Sequence, residues 1–336
     1  MTDTPELRLV TAQGSPYQVG HALGLAGRAA AHSVLLHASY WAAVTAPEHA
    51  ATVTRLDHAL QTRFPAIRAE LIGLADGLNL PFFQVLAWNC RGDLLSNTGD
   101  GCTSIQIPET PILLAHNEDG LPEFRGSAFL AQVQPDGAPG FTAFCYPGSL
   151  PGHTFAATRA GLVQTVNNLR LTGVASEIPR MVLGRAVLGC STLDAALAVL
   201  QDDPRCGGFH MSLAQCGDAR VMSVEYGAGR ASLRQITRPA CHANHALHLD
   251  MPQVVTDSSH QRQTKCTKRL GRDPRAILRD AQGPGLPIFR TAPDDPDDEN
   301  TLSTAILQIW TDHVALEVID QAGTSQHLHI PCDWSP

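Results

Sequence analysis

The spacing of apolar residues along this chain changes character once, close to residue 100. Before that point it follows a helical period. Ser15-Pro16-Tyr17-Gln18 reads as a helix start, with Ser15 as cap, Pro16 at the first helical position and Gln18 closing a capping box. Ala and Leu then dominate from Val19 to Val44. A second helix is predicted through Leu56 and Leu60, and a third from Pro65 to Ala75 that stops at Gly77, a C′ glycine. Asn79-Leu80-Pro81 restarts a helix toward Trp88.

After Cys102 the pattern turns to strands. Ile112-Leu113-Leu114-Ala115 is a short apolar run, and Pro135-Asp136-Gly137 reads as a hairpin turn between Phe129–Val133 and Phe141–Cys145. Ala160-Gly161 joins His153–Thr158 to Leu162–Val166 in the same way. Helices return at Ile178–Leu188 and behind a capping box at Ser191-Thr192-Leu193-Asp194. Strands follow at His210–Gln215, Arg220–Tyr226 and Ser232–Ile236, then a helix over Asp257–Leu270 and alternating strands near Ala305–Trp310 and Val314–Ile319. Strand runs, a helical pair and more strands predict an α+β fold of sheets with helices packed outside. The acidic, proline-broken run Pro293–Glu299 reads as a solvated loop, with a cation site as the alternative.

A chain of 336 residues with 43% hydrophobic and 17% charged residues can bury a sizeable core. Its net charge of −8 argues against nucleic acid and anionic membrane surfaces as partners. Lys265 and Lys268 are the only lysines, and the arginines form no stripe. The first residues lack a basic region followed by an apolar one, and no run is apolar enough to span a bilayer, so a cytoplasmic location is expected. Nine cysteines without CxxC pairs suggest a reducing compartment and mostly buried thiols.

Candidate chemistry centres on Gly101-Cys102-Thr103-Ser104, where the helical and strand patterns meet. If the Gly101–Cys102 bond breaks, Cys102 gains an α-amine beside its thiol. With a reference pKa of roughly 7.7–8, that amine can serve the thiol as a general base. Gly101 lets a nucleophile approach its carbonyl closely. Asn117-Glu118-Asp119 follows the next strand, where a carboxylate can hold or orient the amine; polar residues also simply end strands. Asn167-Asn168 offers uncharged donors for an oxyanion, and is also ordinary turn chemistry. In Cys241-His242-Ala243-Asn244-His245-Ala246-Leu247-His248, the spacing of His242, His245 and His248 allows a zinc hydrolase. An extended segment would instead put His242 and Asn244 on one face and His245 on the other, leaving Asn244 as a second oxyanion donor. Arg262, in the helix opened by Asp257-Ser258-Ser259, can enter the site and stabilise an anion, or lie on the surface.

Together these motifs resemble the isopenicillin-N acyltransferase family of N-terminal nucleophile (Ntn) hydrolases. More distantly they resemble penicillin V acylases, bile salt hydrolases and acid ceramidase. The matching pieces are Asp100-Gly101-Cys102-Thr103, Asn117-x-Asp119, Gly161-Leu162 leading to Asn167-Asn168, His242-x-Asn244-His245, Asp257-Ser258-Ser259 before Arg262, and the opening Gly14-Ser15-Pro16-Tyr17 with Gly20. The resemblance implies a four-layer αββα sandwich preceded by a helical segment. It also implies self-cleavage at Gly101–Cys102 into a retained fragment 1–101 and a catalytic fragment 102–336 of one integrated domain. In that reading Cys102 is nucleophile and, through its α-amine, base. Asp119 orients the amine, Asn168 and Asn244 serve the oxyanion hole, and Arg262 sits behind the nucleophile. His116, Asn117 and His245 are candidate substrate contacts. His116 stands where bile salt hydrolases carry an Arg, and Asp297-Asp298-Glu299 where the acyltransferase has Ser-Arg, so a penicillin substrate is not implied.

The activity expected is hydrolysis or transfer of an acyl group from a small-molecule amide or thioester, with neither metal nor organic cofactor. Hydrolysis is favoured, since no Gly-rich anion loop or basic cluster for coenzyme A is evident. A non-catalytic binding protein on the same scaffold is the alternative outside enzymes. Whether the chain forms a homo-oligomer stays open.

Overall fold

The computed structural model describes residues 7–95, 101–202, 204–295 and 297–335. Asp100, of the Gly-Cys motif above, lies outside them, as does the start of the chain. The helices are α1 (Pro16–Ser33), α2 (Ser39–Val44), α3 (Ala50–Arg63), α4 (Pro65–Leu78), α5 (Phe82–Asn89), α6 (Arg91–Leu94), α7 (Arg180–Val187), α8 (Leu193–Gln201), α9 (Asp257–Arg269) and α10 (Pro274–Leu278). The strands are β1 (Leu9–Gly14), β2 (Gly101–Ile107), β3 (Ile112–Gly120), β4 (Phe129–Pro135), β5 (Phe141–Cys145), β6 (Phe155–Thr158) and β7 (Leu162–Leu169). They continue with β8 (Gly208–Gln215), β9 (Val221–Gly227), β10 (Arg230–Gln235), β11 (Ala240–His242), β12 (Asn300–Ile309), β13 (His313–Asp320) and β14 (Ser325–Pro331).

These strands form two sheets, of order β1-β4-β5-β6-β7-β8-β9-β10 and β11-β2-β3-β12-β13-β14. Strand β2 of the smaller sheet faces β7 of the larger one. Polar side chains bridge the sheets there: Gln106 Nε2 donates to Ser212 Oγ at 2.8 Å and Ser104 Oγ donates to Asn167 Oδ1 at 2.7 Å. Helices α1 and α8 pack on the larger sheet, and α9 and α10 on the smaller. The layers therefore run helix, sheet, sheet, helix, the αββα architecture the resemblance implies. A large apolar core joins α1–α5, α7 and α8 to the strands of both sheets. A smaller one, with Ile105, Ala115, Cys266, Ile277 and Ile306, seals α9 and α10 against the second sheet.

Local signals account for much of this. Ser15 caps α1 with both arms of the capping box in place. Gly137 and Gly161 take positive φ in the hairpin turns, as their positions require. Other expectations are corrected. The first hundred residues are not wholly helical, because β1 pairs in parallel with β4 at the sheet edge. Helix α4 runs through Gly77 and ends on left-handed Asn79. Gly77 answers a packing need: a Cβ there would lie 2.3 Å from His21 O and 2.8 Å from the Gly24 Cα of α1. Thr192 alone caps α8, accepting from Ala195 N, with no capping box. The run Pro293–Glu299 is not a plain solvated loop, since Asp295 and Glu299 are buried around Arg290. Arg290 supplies the positive charge that a cation would have brought. Cys216 and Cys332 form a disulfide that their spacing did not suggest, and most of the other cysteines are buried thiols. Among the described residues no single helix is long and apolar enough to cross a membrane.

Candidate active site

The site is built on the β2–β3 hairpin. Its register pairs Cys102 with Glu118 and Ser104 with His116 on the face toward the larger sheet. Gly101 pairs with Asp119, and Thr103 with Asn117, on the face toward α9 and α10. Side chains alternate along a strand, so residues one apart in sequence serve opposite faces.

On the inner face the Cys102 thiol donates to Glu118 Oε2 at 3.8 Å. The same oxygen lies 3.0 Å from His116 Nε2, while Glu118 Oε1 accepts from Tyr146 OH at 2.6 Å. Ser104 Oγ lies 2.9 Å from His116 Nδ1. Burial pushes the His116 pKa down to about 3, so the ring is neutral near pH 7 and donates to Glu118 through Nε2. Cys102 is 3% exposed, so the thiol is closed to a bulky reagent.

The backbone of Cys102 is held from the other side. Its N–H donates to Asn244 Oδ1 at 2.8 Å, and its carbonyl accepts from Arg262 Nη1. Arg262, fully buried, also donates to Thr103 Oγ1 at 3.0 Å and to Asn244 Oδ1 at 2.7 Å. Asn244 is fixed in turn by its own N–H to Ser259 Oγ at 2.8 Å and its Nδ2 to the Asn168 carbonyl at 3.1 Å. Arg180 Nη1 reaches Asn168 Oδ1 at 2.5 Å. Behind Arg262, Glu299 bonds Arg170 at 2.9 Å and Arg290 at 2.7 Å. It also excludes any side chain at position 101, where a Cβ would lie 2.4 Å from Glu299 Oε2.

Asp119 is buried on this same face. Its Oδ1 accepts from Thr301 Oγ1 at 2.6 Å, but its Oδ2 has no hydrogen-bond partner among the described residues. Burial raises its pKa, against the opposing pull of Arg262. An orphaned carboxylate oxygen at the register partner of Gly101 is costly unless a donor arrives there.

Cys102, Asn244, Arg262 and Asn168 are thus linked in one network, with Asp119 paired to Gly101 beside it. Two candidate contacts lie elsewhere. Asn117 turns outward and bonds Leu278 O at 2.7 Å and Thr304 Oγ1 at 2.8 Å. His245 Nδ1 shares Ser259 Oγ at 2.8 Å. The histidines of the zinc alternative form no three-ligand cluster among the described residues, although His242 and His248 both lie beside Glu225, His248 Nδ1 at 3.5 Å from its Oε2. His242 Nε2 bonds Glu225 Oε1 at 2.7 Å and its Nδ1 its neighbour's carbonyl, His245 goes to Ser259, and His248 Nδ1 to Ser232 Oγ at 2.8 Å. The residues that sequence reasoning passed over are Glu118, Tyr146, Arg180 and Glu299. Glu118 had a signal: a β2–β3 hairpin that aligns Cys102 with residue 118 must turn residues 117 and 119 away from the thiol.

This buried histidine set gives a pH prediction. His116 is held down to about 3 and His245 to about 4 by burial, and His210 well below its usual value for the same reason. Each binds a proton in the unfolded chain below about pH 6.5 but not in the folded one. Stability therefore falls as pH drops from about 6.5 toward 4. Glu225 adds to the loss further down: burial alone would raise it, but the His242 hydrogen bond and the backbone donors hold it at about 2. Thermal melts between pH 7.5 and 4 should show a steady decrease, and a flat melting temperature down to about pH 4.5 would contradict it.

The chain is similar to several known proteins. The sequence model of the acyl-coenzyme A:6-aminopenicillanic acid acyl-transferase family matches residues 107–320, the stretch holding Asp119, Asn168, Asn244 and Arg262. A Drosophila melanogaster protein, beta-alanyl-dopamine/carcinine hydrolase, is 30% identical over 160 residues, which is 41% of this chain and 41% of that protein. Two solved structures, both variants of conjugated bile acid hydrolase from Clostridium perfringens, also match. One has a TM-score of 0.38 at 8% identity, covering 68% of this chain and 96% of the other. The second has a TM-score of 0.44 at 10% identity, covering 70% and 94%. With the family model spanning well over half of it, the chain belongs to the acyl-coenzyme A:6-aminopenicillanic acid acyl-transferase family.

Proposed function

We propose that this protein is a self-processing cysteine amide hydrolase that cuts its own Gly101–Cys102 bond and then uses the freed Cys102. The thiol adds to the Gly101 carbonyl carbon and passes its proton to Glu118, the acceptor it already faces. The C–N bond then breaks as the Cys102 nitrogen takes up a proton, leaving a thioester. Water hydrolyses that ester to a Gly101 carboxylate and a free Cys102 thiol and amine. The observation that carries the reading is the pairing of Gly101 with Asp119, whose buried Oδ2 has no donor among the described residues. The new α-ammonium is the donor that would satisfy it.

In turnover the freed thiol attacks an amide carbonyl while its α-amine accepts the thiol proton and returns it to the leaving amine. Asn244 orients that amine, as its contact with Cys102 N supports. Asn168, anchored at Oδ1 by Arg180, presents its amide nitrogen to the oxyanion. Arg262 fixes the Cys102 carbonyl and so the direction of the nucleophile. Water then releases the acyl group.

The name of the Drosophila relative supplies the class to try first, a small β-alanyl amide. Processed enzyme incubated with β-alanyl-dopamine, carcinine and a set of simple N-acyl amides should release the free amine, followed by chromatography. A fully processed enzyme that cleaves none of them would overturn the amide-hydrolase reading. Acyl transfer to an added amine, outrunning hydrolysis, would overturn water as the acceptor.

A further inference from the structure

The polar group on the inner face of the β2–β3 hairpin has the makings of a second kind of site. Among the described residues, Cys102 Sγ, His116 and Glu118 each offer a ligand atom, and these atoms all lie within 4.8 Å of one another. All three residues are buried. The separations are 3.8 Å from sulfur to Glu118 Oε2 and 3.0 Å from that oxygen to His116 Nε2. A tetrahedral zinc ion, with bonds of about 2.3 Å to sulfur and about 2.0 Å to nitrogen and oxygen, spaces such donors roughly 3.3–3.5 Å apart. Those two separations lie within a few tenths of an ångström of this spacing.

The supporting contacts also suit a metal. Zinc-bound histidines hold their other ring nitrogen on a hydrogen-bonding partner, and bound carboxylates are themselves hydrogen-bonded. Here Ser104 Oγ lies 2.9 Å from His116 Nδ1, leaving Nε2 aimed at the cluster. Tyr146 holds Glu118 Oε1 at 2.6 Å and leaves Oε2 on the thiol side. One sulfur, one imidazole and one carboxylate select a borderline ion such as zinc over magnesium or calcium, which prefer all-oxygen sites.

We infer that Cys102, His116 and Glu118 form a three-ligand site for a zinc-class divalent cation, and that the bound ion masks the nucleophile. Binding replaces the thiol proton by the metal: Cys102 loses a proton to solvent, the His116 proton moves from Nε2 to Nδ1, where Ser104 Oγ accepts it, and sulfur–metal and Nε2–metal bonds form with no change of oxidation state. Water fills the fourth position. The masking rests on Cys102 being the nucleophile; the binding does not.

The test uses the wild-type chain as purified, stripped with chelator and titrated with zinc or cobalt chloride. One equivalent should bind, cobalt should give a thiolate-to-metal absorption band, and zinc should protect Cys102 from iodoacetamide, read by peptide mass. Glu118→Gln keeps the size of the side chain and should weaken zinc by ~10-fold or more. Cys102→Ala should abolish the cobalt band, and circular dichroism checks that both variants are folded. A band that persists in Cys102→Ala, unchanged affinity in Glu118→Gln, or equal alkylation with and without zinc would overturn the site. The two readings fail separately. An enzyme without amide turnover that still shows the band loses only the hydrolase reading, and an active enzyme without the band loses only the metal site.

Discussion

Replacing Cys102 by Ala is expected to leave a single full-length chain where the wild type yields two fragments, Met1–Gly101 and Cys102–Pro336. Amide turnover should fall by ~10⁴-fold or more, because the substitution removes the atom that forms the acyl-enzyme and no neighbour can replace it. Electrophoresis and intact mass read the first effect, and amine release the second. The wild-type fragments should stay together on a sizing column. Strand β1, from the first fragment, pairs with β4 along its whole length, and α1 to α5 share the large core with the strands. Separating them would expose that core to water. A Cys102→Ala chain cut at the same bond would assign the cleavage to an outside protease and end the self-processing reading.

Asp119→Asn is the second large effect. The amide keeps an oxygen for Thr301, so the fold should persist, but the negative charge beside Gly101 is lost. That charge favours the protonated form of the new α-amine. Without it the amine pKa drops, and the amine is unprotonated at lower pH. The acid limb of the kcat/KM profile should therefore move to lower pH. Turnover near neutrality should fall by roughly 10²-fold, the low end of what general acid–base catalysis contributes, because a weaker and less well held base accepts the thiol proton. A purely structural role for Asp119 would lower the melting temperature and leave the pH profile where it was. A variant that loses rate without moving its acid limb would sink the assignment of Asp119 to the amine.

The parts of the molecule that were legible in the sequence are those set by close neighbours along the chain. The Ser15 capping box, the turns at Gly137 and Gly161, and the strand alternation after Cys102 all depend on a few adjacent residues. Gly77 shows the limit of such reading. Its position near a helix end suggested a cap, yet its small size is needed for contact with α1, more than fifty residues away in the chain. Asp295 and Glu299 show the same limit for charge. An acidic run reads as solvated until Arg290 folds against it.

The site divides along the same line. Residue order alone marked Cys102, Asp119, Asn168, Asn244 and Arg262, because their chemistry and sequence order resemble a known pattern. It left open which carboxylate meets the thiol and which meets the backbone side. A strand sends consecutive side chains to opposite faces, so a single step in register exchanges Glu118 for Asp119. That register is decided by what the two faces bury: β7 and the larger sheet on one, α9 and α10 on the other. The sequence by itself marked most of the helices and turns and the place of Cys102 at the change of pattern. Only the tertiary structure decided which face each neighbour of that cysteine serves, because the choice is made by packing between segments far apart in the chain.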